Sequence, residues 1–127
     1  MMLTISDVVD ALEQKFPGIK FFNGCISKDD DCVGVYARGN APVVTAIGSP
    51  PSYGVLAVTL LIHWSENSNT CEMLANRLYE GLEHGITTNK TRVIHTQLME
   101  SCPVNIGRDD NNICEMTIRF NIFYERR

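Results

Sequence analysis

The side chains of this chain with the most potential for chemistry are five cysteines and three histidines. Cys71 or Cys102 beside a histidine would form a nucleophile–base pair. A small Cys/His enzyme is therefore one alternative, although the sequence has no nucleophile elbow and no second group to orient the base. The odd cysteine count and the lack of a Cys-x₂-Cys pair favour neither disulfides nor a zinc site. We predict no catalytic, cofactor-binding or metal-binding residues, and buried thiols at Cys71 and Cys114.

The three histidines have structural interpretations. His63 and His95 fall in predicted strands and could face one another across a sheet. His84 lies at the end of a predicted helix, where a cation interacts favourably with the helix dipole. No glycine-rich phosphate-binding pattern precedes a predicted helix.

Arg108, Asp109 and Asp110 form a dense charged cluster in a predicted tight turn, to which Pro103 and Gly107 also belong. In a structural interpretation, this is a hairpin loop whose acidic side chains accept hydrogen bonds from backbone amides. In a functional interpretation, it is an exposed contact point between subunits. The sequence leaves both open.

Composition limits the class of protein. A chain of 127 residues fits one domain that can bury a core without disulfides or metal. Its net charge of −4 argues against a dedicated nucleic-acid binder. No apolar run approaches the roughly 18 residues needed to span a bilayer. Because Met1 and Met2 precede a helix pattern rather than a signal sequence, we expect the protein to be made and kept in a cytoplasm.

Hydrophobic periodicity predicts two helices and several strands. Thr4 and Asp7 suit the cap of the first helix, which Pro17 and Gly18 end. Asn69 and Glu72 can cap the second helix, and His84 with Gly85 mark its end. The predicted helices cover residues 4–16 and 70–84; the predicted strands cover 19–22, 32–37, 53–64, 91–99 and 113–124.

The strand at 53–64 is apolar on both faces. One face carries Leu56, Val58, Leu60, Ile62 and Trp64, and the other carries Tyr53, Val55, Ala57, Thr59, Leu61 and His63. Such a strand is either covered twice within its own domain or covered on one side by another chain. Residues 38–52 precede it, with three prolines, two glycines and an apolar patch at 43–47. They predict a long loop or arm, which either packs on a neighbouring subunit or has no partner.

The pattern of the whole chain resembles the phage tail terminator family, whose members are often described as phage minor capsid proteins. The resemblance rests on an N-terminal helix, the long strand that ends in His63-Trp64-Ser65 and a helix carrying Leu78-Tyr79-Glu80-Gly81-Leu82. Its most specific part is Pro103…Gly107-Arg108-Asp109, followed by Phe120-Asn121-Ile122-Phe123-Tyr124. In relatives the long strand tends to be followed by a basic residue before the second helix, whereas this chain has His63-Trp64-Ser65-Glu66 there.

The resemblance implies a single α+β domain over residues 1–127, with a twisted, mostly antiparallel sheet of four to five strands and two helices on one face. It implies a structural protein of a phage or prophage, assembled in the host cytoplasm and located in the tail or neck of the virion. Its subunits would form a ring, usually of six, on the head-proximal end of the tail tube. There the ring would end tube polymerisation and provide the docking surface for the head–tail connector protein.

The implied partners are further copies of this chain, the tail tube protein and the connector protein. DNA would pass through the pore without specific binding, and neither cofactor nor membrane is implied. A heterologous ring contact needs two different surfaces on each subunit. We expect one on the outer face of the strand at 53–64, and the other to include the arm at 38–52 and the turn at 107–110. The expected interface residues are Val43, Ile47, Tyr53, Val55, Leu61, Arg108, Asp109 and Asp110. The alternatives are a head-completion or connector protein of similar fold, and a small cytoplasmic ligand-binding α+β domain.

Overall fold

The computed structural model describes residues 2–26, 31–38, 44–45 and 51–126, which contain two helices and seven strands. In chain order the elements are α1 (Ile5–Lys15), β1 (Phe21–Asn23), β2 (Asp31–Ala37), β3 (Val44–Thr45), β4 (Pro51–Trp64), α2 (Ser68–Glu83), β5 (Val93–Leu98), β6 (Val104–Arg108) and β7 (Cys114–Glu125). The predicted α+β class and both predicted helices are confirmed.

The strands form one sheet with the order β1-β2-β4-β7-β5. β3 pairs with the start of β4 on the side where β2 lies, and β6 pairs with the start of β7 on the side where β5 lies. The prediction of four to five strands is too low, because the short strands β3 and β6 also join the sheet. The sheet is mixed, since β1 runs parallel to β2 while the other pairings are antiparallel.

The core lies between one face of the sheet and both helices. Every second residue of β7 points into it, from Cys114 through Phe120 to Tyr124, as the period of two predicts. Val58, Leu60 and Ile62 stand beside these residues on β4. The same cluster contains Leu12 of α1 and Leu78 of α2, so both helices cover the same face.

The predicted N-terminal cap is confirmed for α1 and wrong for α2. At α1 the predicted cap is confirmed as a capping box, in which Asp7 N donates to Thr4 Oγ1 at 3.2 Å and Thr4 N donates to Asp7 Oδ2 at 2.9 Å. At α2 the predicted cap is wrong, because Asn67 and not Asn69 accepts hydrogen bonds from the first backbone amides. The helix therefore begins two residues earlier than its apolar stripe indicates.

Two segments that were predicted to be a turn and a loop contain strands in the structure. The segment after Pro103 is strand β6 rather than a turn, and the chain reverses between Asp109 and Asn112. Within the predicted arm at 38–52 a short strand is present at Val44–Thr45. Residues 39–43 and 46–50, which include Val43 and Ile47, lie outside the described residues.

Candidate subunit interface on the open face of the sheet

The face of the sheet opposite the helices is the candidate interface, and we call it the open face. On β4 it carries the alternate residues from Tyr53 to His63, paired in that order with Glu125, Phe123, Asn121, Arg119, Thr117 and Glu115 of β7. The predicted alternation of residues between the two faces of this strand is thus confirmed. β4 is central in the sheet, yet no described helix covers its second face. Tyr53, Val55 and Leu61 are each partly exposed there.

An apolar recess lies at one end of the open face. Tyr53, Ile94, His95 and Phe123 line it, and its volume is about 200 Å³. The ring of Phe123 contacts those of Tyr53 and His95, with centroids 6.3 and 6.0 Å apart. Aromatic side chains held in this way offer a large apolar area at a small cost in entropy, which is typical of protein contact sites.

Arg38 spans the middle of the open face. Its guanidinium donates to the backbone carbonyls of Val58 at 2.8 Å and Phe120 at 3.3 Å, and also to the side-chain oxygen of Asn121. Burial, and next the nearby charge of Arg119, lower the pKa of Arg38. Sequence reasoning missed this residue, because nothing local to Arg38 shows that β7 lies within its reach.

Arg119 is held by Glu100 rather than by the partners of Arg38. It donates to Glu100 Oε1 at 2.7 Å, and this hydrogen bond raises the pKa of Arg119. The two arginines therefore stand on the same face with separate partners, and the centre of the open face is polar, in contrast to the apolar recess at one end.

His63 lies at the opposite end from the recess and is only 5% exposed. Its Nδ1 is 3.3 Å from Glu115 Oε2, and its Nε2 is 3.5 Å from Asp109 Oδ2. The suggestion that His63 and His95 face each other is wrong, because His95 pairs with Phe123 near the other end of β7. His63 instead joins three segments of the chain: β4, β7 and the turn before β7.

The charged turn divides its side chains between two sides of the sheet. Arg108 donates to the carbonyls of Glu66 and Asn112 and to Ser68 Oγ, so it joins the turn to the start of α2. Asp109 reaches the open face at His63, and its Oδ1 accepts hydrogen bonds from the amides of Asn111 and Ile113. The bonds from the amides to Asp109 agree with the interpretation of this segment as a loop whose acidic side chains accept hydrogen bonds from backbone amides. A role of Arg108, Asp109 and Asp110 between subunits stays a prediction.

Replacing Asp109 by alanine tests the internal role of this turn. We expect Asp109→Ala to cost about 1–2 kcal/mol of unfolding free energy, since two amide hydrogen bonds and the contact with His63 are lost. The neighbouring Asp110 is exposed and provides the matched control, for which we expect a change within about 0.5 kcal/mol. Urea denaturation of both variants measures the difference. Equal stabilities would show that Asp109 does not hold the turn.

Three of the five cysteines are buried and two are exposed. Cys71 and Cys114 are buried as expected, as is Cys32, whereas Cys25 and Cys102 are exposed. Burial raises the pKa of Cys71 to about 11, and its thiol donates to the carbonyl of Cys114. A nucleophilic cysteine needs the opposite shift. Within the described ranges no cluster of three or more histidine, cysteine or acidic residues could hold a metal ion.

The open face has features typical of a surface for protein contacts: an apolar recess, a polar centre held by hydrogen bonds, and a hydrogen-bonded turn. The chain matches the bacteriophage tail terminator protein family over residues 6–126 and belongs to it. Its class is thus that of structural tail proteins, which are components of the virion. A search of curated proteins found no match. None of the helices in the described part is both long and apolar enough to span a membrane.

Proposed function

We propose that six copies of this chain form a ring on the head-proximal end of the phage tail tube. The ring ends tube polymerisation and provides the surface on which the head–tail connector protein docks. The observation that carries this proposal is membership of the tail terminator family over residues 6–126.

The open face supplies one of the two surfaces that a closed ring requires. We propose that Val43 and Ile47 of one subunit contact Tyr53, Val55 and Leu61 of the next. Those three β4 residues are partly exposed on the open face and would be covered by such a contact. Asp109 lies on the same face, beside His63, so the turn supports this first surface rather than providing a second one.

The pore is proposed to let DNA pass without gripping it. A net charge of −4 on each subunit disfavours tight binding to phosphates, whose affinity for proteins depends on lysine and arginine contacts. An acidic ring therefore suits a channel through which DNA slides.

Native mass spectrometry at several protein concentrations tests ring formation. We expect a closed species of six subunits that increases with concentration. Deleting residues 41–51 should abolish this species while far-UV circular dichroism still shows a folded monomer. A six-subunit ring that survives the deletion would reject the role of Val43 and Ile47. A monomer or dimer at every concentration would contradict the proposed self-assembly and favour a small ligand-binding domain.

A further inference from the structure

Exposed apolar side chains are concentrated along one edge of the sheet. Of the six large apolar residues that are exposed in the described part of the chain, four belong to β5, β6 and the segment between them: Ile94, Met99, Val104 and Ile106. All five residues of β6 are exposed, and β6 pairs with no described strand other than β7. The outer backbone groups of β6 are therefore available to another strand.

Among the described residues, neither β1 nor β6 carries the usual protection of an edge strand against pairing. Natural edge strands are commonly guarded by charged side chains. β1 has the sequence Phe-Phe-Asn and carries no charge. The one charged residue of β6 is Arg108, whose guanidinium is held by Glu66, Ser68 and Asn112 of the same chain. An unguarded apolar edge is stable in solution only when something covers it.

The strand register aligns β1 and β6, so that they lie at the same position along the strand direction, which we call their height. Phe22 of β1 pairs with Gly34, Gly34 with Leu61, Leu61 with Thr117, and Thr117 with Val104 of β6. This single row crosses the sheet from one edge to the other. β1 runs in the direction of β7 and β6 runs against it, so β1 and β6 are antiparallel. Subunits of a closed ring are related by rotation without a rise, which brings edges of equal height together.

We propose that the β6 edge of one subunit pairs with the β1 edge of the next copy of this chain, in antiparallel orientation, so that the sheets continue around the ring. This rests on the ring proposed above and supplies its second contact. An open groove of about 520 Å³ runs beside β1, lined by Ile19, Phe21 and Phe22 among others. In the proposed contact this groove would receive Ile106 of the neighbouring subunit. Two copies that each carry a net charge of −4 repel less where the charges of a surface balance, and Glu13 and Lys20, which also line this groove, carry opposite charges.

Two native cysteines allow a direct test. Cys25 follows β1 by two residues and Cys102 precedes β6 by two, and both are exposed, whereas the other three thiols are buried. A short bis-maleimide should therefore link Cys25 of one wild-type subunit to Cys102 of the next. We expect a ladder of covalent species up to the full subunit number of the ring.

Single variants separate this contact from a symmetric one. Cys25→Ser and Cys102→Ser should each leave only monomers, and an equimolar mixture of the two should give dimers and nothing larger. Dimers formed by either variant alone would mean that like edges pair, which overturns the proposal. A six-subunit ring in native mass spectra without any ladder would also overturn it, while leaving the proposed function intact.

A charged substitution provides an independent measurement. Ile106→Lys places a guarding charge on the edge and should raise the concentration needed for ring formation about tenfold or more. Met73→Lys is the matched control, because Met73 is similarly exposed but lies on α2 away from the sheet. An Ile106→Lys ring as stable as the Met73→Lys ring would contradict the edge contact. If wild-type protein forms neither ring nor ladder, the proposed function fails together with this inference.

Discussion

Phe120→Ala is expected to lower the unfolding free energy of the protein by about 3–5 kcal/mol. Phe120 lies at the centre of β7, is 0% exposed, and pairs with Val58 of β4 and Leu98 of β5 inside the core shared with both helices. Truncation would leave a cavity that the two neighbouring strands cannot close. Since small domains are stable by only about 5–15 kcal/mol, a large part of the protein would unfold at moderate urea concentrations.

The matched control is Phe123→Ala, on the same strand but on the open face. Phe123 is half-buried and contacts Tyr53 and His95, so we expect it to contribute only about 1 kcal/mol to folding. Its loss should instead weaken ring formation about tenfold or more, because an aromatic anchor of the proposed interface is removed. Urea denaturation and native mass spectrometry measure the two effects. If Phe123→Ala unfolds the monomer as readily as Phe120→Ala, the open face belongs to the fold rather than to assembly.

Gly81→Ala is expected to destabilise the protein by about 1–3 kcal/mol, although alanine normally stabilises a helix interior by about 1 kcal/mol relative to glycine. A methyl group at Gly81 would overlap the ring of Phe16, with Phe16 Cε1 only 2.6 Å from the added carbon. Phe16 is buried at the end of α1 and also contacts Phe21. The glycine therefore lets α2 approach the end of α1 closely.

Two further variants test whether the overlap with Phe16 causes this destabilisation. Asn76→Ala, at an exposed site of the same helix, should stabilise the protein by a few tenths of a kcal/mol, as helix propensity predicts. Phe16→Leu should shrink the penalty of Gly81→Ala, giving a favourable coupling in a double-mutant cycle. Thermal denaturation of the set measures all three changes. A Gly81→Ala protein that is more stable than wild type would show that Phe16 moves aside at no cost.

The sequence predicts the parts of this fold that depend on local periodicity. Alternation along 113–124 places Phe120 in the core and Phe123 on the open face, and the structure agrees. The period of 3.6 likewise identifies Leu78 and Leu82 as the buried stripe of α2. These patterns are set by which face meets water, and that information is present in each segment alone.

Long-range pairing is the part that sequence reasoning could not supply. The turn-forming residues Pro103 and Gly107 conceal a strand that exists only because β7 lies beside it. The same is true of Arg38, whose partners are 20 to 83 residues away, and of His63 between Asp109 and Glu115. No local propensity records such contacts, so the polar centre of the open face emerges from the fold alone.

Electron microscopy of tail tubes tests termination most directly. The tube protein of the same phage would be polymerised with and without an excess of this protein, and both tube length and tube ends would be scored. We predict shorter tubes, each with a single six-fold ring at one end. Tubes of unchanged length with bare ends, or tubes with this protein bound along their sides, would contradict the role of this chain in ending the tail tube.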